Sequence, residues 1–354
     1  MVTNRLKYFR VKSAKTQTQA AKAAGVTQPS YQRWETSKVE IPKSYLTKLA
    51  RYFKATEAEL LGTNPPREAA FYDDEAPADL QYYGELAVHF VGGGKPLVLS
   101  ISEAARTAAY QELLQGKRFV VIKDLGNRTV AIRHKSIAEF YFSSEAYDWY
   151  GPEEEHESYE CATPIQMPDT RDWAIVEAIR GEELGVGDCT SKFSKEDVKR
   201  VQDMIMITDE QFDELVAQGA IKPEDLETEK AARAADTAEI MALADTVMVQ
   251  FSTGKRREFT YADCNLFEVI EPLIDIHYPY GDDDDLKLIH FPHEGYHQTA
   301  FFNPDVIDFI SVPTHKIEEG ETDVNDELLI ELDDDDGEDG KVIKLPKGRK
   351  KGKG

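Results

Sequence analysis

The sequence predicts a multidomain α+β protein. An all-α five-helix bundle comes first, then two similar ββαββ modules separated by a helical segment, then a disordered tail that is acidic before it is basic. Three observations predict this. The 354 residues exceed one ordinary domain, at roughly 100–200 residues each. Charge reverses along the chain: residues 1–62 carry 12 basic and 4 acidic side chains, 63–340 carry 23 and 62, and 341–354 carry 7 and none. Apolar residues at helical spacing before residue 62 give way to short apolar runs bounded by turn residues beyond 82.

Composition narrows the classes. A hydrophobic fraction of 41% with 10% aromatics fits folded domains rather than wholesale disorder. The three cysteines, Cys161, Cys189 and Cys264, are odd in number and widely spaced, which argues against a disulfide scaffold or a cysteine-based zinc module. No apolar run approaches the ~20 residues that span a bilayer, and Met1–Arg10 lacks the apolar core of a secretory leader. The expectation is a soluble cytoplasmic protein without membrane contact. The net charge of −24 hides a head of +8 on a body of −39, so only the head is suited to a polyanion such as nucleic acid.

The head, residues 1–62, reads as consecutive short helices. Leu6 and Phe9 give a first apolar pair. Thr16 caps a second helix, Gln17 to Ala24, with Ala20, Ala21 and Ala24 inward, and Gly25 ends it in the left-handed conformation. Val26 packs inward, Thr27 caps a third helix to about Glu35, and Pro29 falls in its first turn, where the missing N–H costs no intrahelical bond. Tyr31 and Trp34 point inward; Gln28, Ser30, Gln32 and Arg33 point outward. Ile41-Pro42 opens a fourth helix with Tyr45, Leu46, Leu49, Ala50 and Phe53 on one face. Thr56-Glu-Ala-Glu59 is a capping box for a fifth, ending at Gly62.

Two short helices joined through Gly25, the second exposing amides and a guanidinium, form a candidate reader of double-stranded DNA. Gln can bridge adenine N6 and N7, and Arg guanine O6 and N7, each pair discriminating by about 1–3 kcal/mol. Gln17, Thr27 and Lys38 stand at helix starts or in the following loop, where phosphate contacts fix register.

Residues 4–62 resemble the phage-repressor-type (Cro-like, xenobiotic-response-element type) helix-turn-helix family. The matching residues are Thr16-Gln17, Ala21, Gly25-Val26-Thr27, Trp34-Glu35, Lys38, Pro42, Leu49-Ala50 and Glu59-Leu60-Leu61. The resemblance implies base contacts from Gln28, Pro29, Gln32 and Arg33, with Ser30 on the same face, a phosphate contact from Gln17, and a pair between Glu35 and Arg10. The chain departs from the pattern at Ala20, where a larger aliphatic is usual, at Pro29, where a polar reader is usual, and at Ser37, where Gly is common.

Residues 63–82 read as a linker. Beyond it a pattern appears twice. In the first module, 83–145, strands at Leu86–Val91 and Leu97–Ile101 precede an Ala-rich helix capped by Ser102 and stopped at Gly116. Strands at Arg118–Lys123, Thr129–Arg133 and Ile137–Phe142 follow. In the second, 247–317, strands at Val247–Ser252 and Glu258–Tyr261 precede a helix over 262–270 that must end before Pro272. Strands at Leu286–Phe291, Thr299–Phe302 and Ile307–Val312 complete it. Between the modules, 146–246 is a loop and then mostly helical, with starts at Ser194 and Thr208 and a stop at Gly219. Residues 318–354 read as the disordered tail.

His293-Glu294-Gly-Tyr-His297 spells H-E-x-x-H, whose metal chemistry requires a helix placing both His on one face. It resembles the motif of ImmA/IrrE-type peptidases. Pro292 before it, Gly295 within it and strand-like flanks predict a surface hairpin loop instead, leaving only an adventitious set of His290, His293, Glu294 and His297 with the nearby Asp282–Asp285. Gly92-Gly-Gly94-Lys95 lacks the spacing of a phosphate loop, and Cys161 lies in an acidic loop that raises a thiol pKa. No cofactor and no enzymatic reaction are expected. The leading expectation is a transcription regulator, a repressor, bound as a homodimer to an inverted repeat, with a ligand or protein partner acting through residues 83–313. The alternatives are an antitoxin-like protein with an autoregulatory head and a metallopeptidase regulator.

Overall fold

The computed structural model describes residues 4–63, 73, 76–144, 165–167, 169–261, 264–274, 288–292 and 299–335. They fall into two compact units. One comprises the chain up to Asn64 together with the segment from Glu319 onward; the other is Pro65–Glu318.

The first unit is helical: α1 (Leu6–Lys12), α2 (Gln17–Ala24), α3 (Gln28–Glu35), α4 (Lys43–Phe53) and α5 (Glu57–Leu61). Local chemistry sets these boundaries. Thr16 and Thr56 each accept a bond from the backbone N–H three residues on, while Gln19 and Glu59 reach back to the cap. Gly25 stops α2 at φ 80°, a conformation glycine adopts without a Cβ penalty. Leu6, Ala20, Ala24, Tyr31, Leu49 and Leu60, all at 0% exposure, form the core with Trp34, Leu46 and Phe53 around them.

The second unit opens with β1 (Tyr82–Phe90), β2 (Leu97–Ser102), α6 (Glu103–Gln115), β3 (Phe119–Lys123), β4 (Arg128–Arg133) and β5 (Ile137–Ser144). Helices α7 (Thr170–Glu183), α8 (Lys195–Ile205), α9 (Asp209–Ala217) and α10 (Leu226–Asp245) follow. Then come β6 (Thr246–Phe251), β7 (Arg256–Thr260), α11 (Leu266–Ile274), β8 (Ile289–Pro292), β9 (Thr299–Phe302) and β10 (Ile307–Pro313). The last helix, α12, is Thr314–Asp335.

The order ββαβββ occurs twice, and the details repeat with it. A 3-10 turn precedes the closing strand in both halves, at His134–Ser136 and Pro304–Val306. The first and last strands pair with a bulge at the same place, where Phe90 faces Ile137 and Phe251 faces Ile307. Two backbone bonds recur: Val91 N–H to Ser136 O at 2.9 Å matches Ser252 N–H to Val306 O at 2.8 Å, and Gly93 N–H to Phe90 O matches Gly254 N–H to Phe251 O. The two equivalent turns also meet. A Cβ at Gly92 would lie 2.2 Å from the backbone oxygen of Ser252, so only glycine permits the approach.

The stretches read as two modules, 83–145 and 247–317, share a sheet as well as holding one each. One sheet has the order β2-β1-β5, a second β3-β4-β10-β6-β7, and a third β8-β9. β4 of the first half pairs antiparallel with β10 of the second, Phe309 opposite Ile132. The reason lies in the β3-β4 hairpin, which is apolar on both faces. Val120, Ile122, Val130 and Ile132 join a core with Leu86, Leu99, Ala109 and Phe309, while Phe119 and Ala131 join another with Val249, Ile270, Phe291 and Ile310. A place inside a five-stranded sheet buries both faces. A third core, centred on Trp173, Ile175, Val201, Ile240 and Met241, unites α7, α8 and α10. Ser194 and Thr208 cap their helices as the sequence predicts.

Two expectations are corrected. The helix after β7 runs through Pro272 instead of ending before it. Leu266, Ile270 and Leu273 are buried in the core, and that packing outweighs the hydrogen bond that proline forfeits. The segment from Glu318 is not a disordered tail as far as Asp335, because α12 covers it. Ile317 and Leu329 are buried, and cationic partners far away in sequence, described below, offset part of its charge. Residues 336–354 lie outside the described residues. Among the described residues no helix is long and apolar enough to cross a membrane.

Candidate nucleic-acid interface

The first unit places the predicted reader residues at the start and along the outer side of α3. Thr27 holds the cap position in an extended conformation, but its hydroxyl does not cap a backbone N–H. It lies 2.9 Å from the hydroxyl of Ser30, the third helical residue. Pro29 is the second residue of α3 and is exposed. Gln32 and Arg33 are exposed one helical turn on, while Tyr31 and Trp34 between and beside them are buried. The 3.6-residue period therefore separates a buried aromatic stripe from an open polar one. Lys38 is exposed in the loop after α3, its backbone N–H on Arg33 O at 2.9 Å.

Beneath this face lies a connected polar network. Arg10, 1% exposed, grips Glu35 with a two-pronged contact, Nε to Oε2 at 2.8 Å and Nη2 to Oε1 at 2.9 Å, and donates Nη1 to the Lys15 carbonyl at 3.1 Å. Gln17 Nε2 donates to Glu35 Oε1 at 3.0 Å, and Gln17 Oε1 accepts from Gln28 Nε2 at 2.7 Å. Gln28 thus uses one amide hydrogen on Gln17, which leaves its Oε1 beside its second hydrogen. That leaves the acceptor and donor that adenine N6 and N7 require. Burial disfavours the Arg10 charge, but the bonds to Glu35 and then Asp326 outweigh it and hold the guanidinium above its ordinary pKa. Burial, followed by the neighbouring Glu35 charge, pushes the Tyr31 phenol up, so it stays neutral.

Sequence reasoning missed three contributors. Asn4 ties the start of α1 to the end of α3, donating Nδ2 to Trp34 O at 2.6 Å, while its N–H and Nδ2 each lie 3.2 Å from Ser37 Oγ. Ser37 adopts φ 53°, which explains why glycine is common there in the family this segment resembles. Asp323 and Asp326 of α12 reach α1: Lys7 Nζ lies 2.8 Å from Asp323 Oδ1, and Arg10 Nη2 lies 2.7 Å from Asp326 Oδ1. The resemblance pointed to the Arg10–Glu35 pair; nothing local pointed to a second carboxylate more than 300 residues away.

The H-E-x-x-H residues His293, Glu294 and His297 lie outside the described residues, as do Asp282–Asp285. His290 is on β8, its ring stacked on Phe301 at 4.8 Å, and β8 and β9 pair antiparallel up to Pro292 opposite Thr299. Among the described residues no group of three or more His, Cys, Asp or Glu is arranged to hold a metal ion.

Compared with known families, residues 6–60 match the helix-turn-helix family. No curated protein and no solved structure matches the chain.

Proposed function

With residues 6–60 as a helix-turn-helix head, we propose that this chain is a sequence-specific transcription regulator, a repressor, that inserts α3 into the major groove. The observation that carries the reading is the open polar stripe of Gln32 and Arg33 continuing the network-held Gln28, over a buried aromatic stripe. Gln28, Pro29, Ser30, Gln32 and Arg33 face base edges; Gln17, Thr27 and Lys38 face phosphates. Arg33 supplies the guanine contact and Gln28 the adenine contact. The +8 charge of residues 1–62 supplies the part of the affinity that does not depend on sequence.

One head offers few base contacts, so the protein acts as a homodimer on an inverted repeat whose half-sites lie one helical turn, about 34 Å, apart. Residues 83–313 supply the dimer contact and receive the signal, a small ligand or a protein. The reading assigns the chain no reaction and no cofactor of its own, and places it in the cytoplasm. The experiment is selection from random duplex DNA with the full-length chain, beside the Gln28→Ala/Arg33→Ala variant. An enriched palindromic site that the variant loses while remaining folded supports the reading. Absence of any enriched site for the wild type defeats it.

A further inference from the structure

The first unit brings opposite charges together. Residues 1–62 carry +8, whereas 319–335, all within α12, contain nine acidic residues and no basic one. The two segments touch through named atoms. Lys7 Nζ lies 2.8 Å from Asp323 Oδ1 and 3.3 Å from Asp326 Oδ2, and Arg10 Nη2 lies 2.7 Å from Asp326 Oδ1. Asp326 is 16% exposed and Arg10 1%, so this contact is not an ordinary solvated surface pair.

Glu35 alone already satisfies the charge of Arg10. A second carboxylate on the same guanidinium therefore adds negative charge to the network beneath α3. Gln17, the candidate phosphate contact, donates to the same Glu35 Oε1 that Arg10 Nη2 reaches. Asp326 is thus linked to Gln17 through two residues, and at the ~8 Å Debye length of physiological salt charges this close are poorly screened.

We propose that the acidic stretch of α12 is an intramolecular polyanion that restrains DNA binding by the head. It competes electrostatically with the phosphates for the cationic surface of the head, where Lys7 is partly exposed and Arg10 lies buried beneath. Phosphate binding draws on the Lys and Arg charges of the head, and the carboxylates of α12 offset those charges from within the same compact unit. This inference rests on the DNA-reading function proposed above. It adds that the head of the intact chain works below its intrinsic affinity.

The test uses the full-length chain and fluorescence anisotropy on two duplexes, the selected site and a scrambled one, across about 50 to 200 mM salt. Asp323→Asn/Asp326→Asn removes the two contacting charges. It is expected to tighten binding to both duplexes by about tenfold at the lowest salt, the gain shrinking as salt rises. Glu321→Gln/Glu327→Gln, at exposed positions of the same helix, is expected to give a smaller gain in the same direction, and it decides the matter should the first variant unfold. Unchanged or weaker binding by folded variants overturns the restraint; weaker binding by Asp323→Asn/Asp326→Asn would make Asp326 a support for Arg10 instead. If neither wild type nor variants bind any duplex, the DNA-reading function fails and this inference with it.

Discussion

Arg10→Ala is the most informative single substitution in the head. The side chain is 1% exposed and makes two bonds to Glu35, one to the Lys15 carbonyl and one to Asp326. Its removal leaves Glu35, itself only 4% exposed, with Gln17 as its remaining partner within this network. A buried carboxylate stripped of its cation costs about 3–5 kcal/mol, far more than the 0–1 kcal/mol of a solvated pair. The assay is native-state hydrogen exchange of amides in α2 to α4, because a single melting temperature is poorly defined for a chain with several units. A loss of 3–5 kcal/mol accelerates exchange of the most protected amides by roughly two to three and a half powers of ten. Arg10→Lys keeps the charge but not the planar fork, and should fall between the two. The double variant Arg10→Met/Glu35→Leu, which removes both charges, should recover a large part of the loss. Should Arg10→Ala change exchange by less than fivefold, the Arg10–Glu35 pair does not hold the head together.

Other consequences follow from the geometry. Ser37→Ala keeps the left-handed strain and loses both Asn4 contacts, whereas Ser37→Gly loses the contacts but relieves the strain. Exchange in α1 and α3 should therefore report Ser37→Gly as more stable than Ser37→Ala by about 1 kcal/mol. Gly92→Ala drives a Cβ into the backbone of Ser252 and should cost the second unit about 1–3 kcal/mol in urea unfolding. Burial raises the carboxyl of Glu177, but the bond from His315 at 3.2 Å and the charge of Lys316 outweigh it and hold Glu177 below its ordinary value of 4.5. A group depressed in the folded state contributes stability above its unfolded pKa and loses it as pH falls. The second unit should weaken as pH drops below about 4.5, and Glu177→Gln should flatten that acid limb in denaturant midpoints taken from pH 3 to 7.

The head was legible because its signals are local. Thr16, Gly25, Pro29 and Thr56 each act within four residues of themselves, so five helices could be bounded without tertiary information. Strand positions and the repeat were legible for the same reason, from turn glycines and short apolar runs. Strand partners were not. Alternation states which face of Val130–Ile132 is apolar, not that β10 covers its edge across some 180 residues. The acidic run after Glu318 reads as disorder from composition, whereas Lys7 and Arg10 at the far end of the chain, with buried Ile317 and Leu329, give the helix its partners. The open side of α3, with Gln32 and Arg33 exposed beside buried Tyr31 and Trp34, was accessible from helical period. The Asn4–Ser37 tie and Asp326 depend on contacts that no spacing rule encodes.

Base readout by α3 is tested most directly by comparing Arg33→Ala with Lys38→Ala on the selected site and on a series of its single-base variants. Arg33→Ala should lose about 1–3 kcal/mol at one guanine position and become indifferent to the base there. Lys38→Ala should weaken all duplexes alike and reduce the salt slope by about one. If both substitutions weaken every duplex equally, Arg33 is only another phosphate contact and α3 does not read sequence.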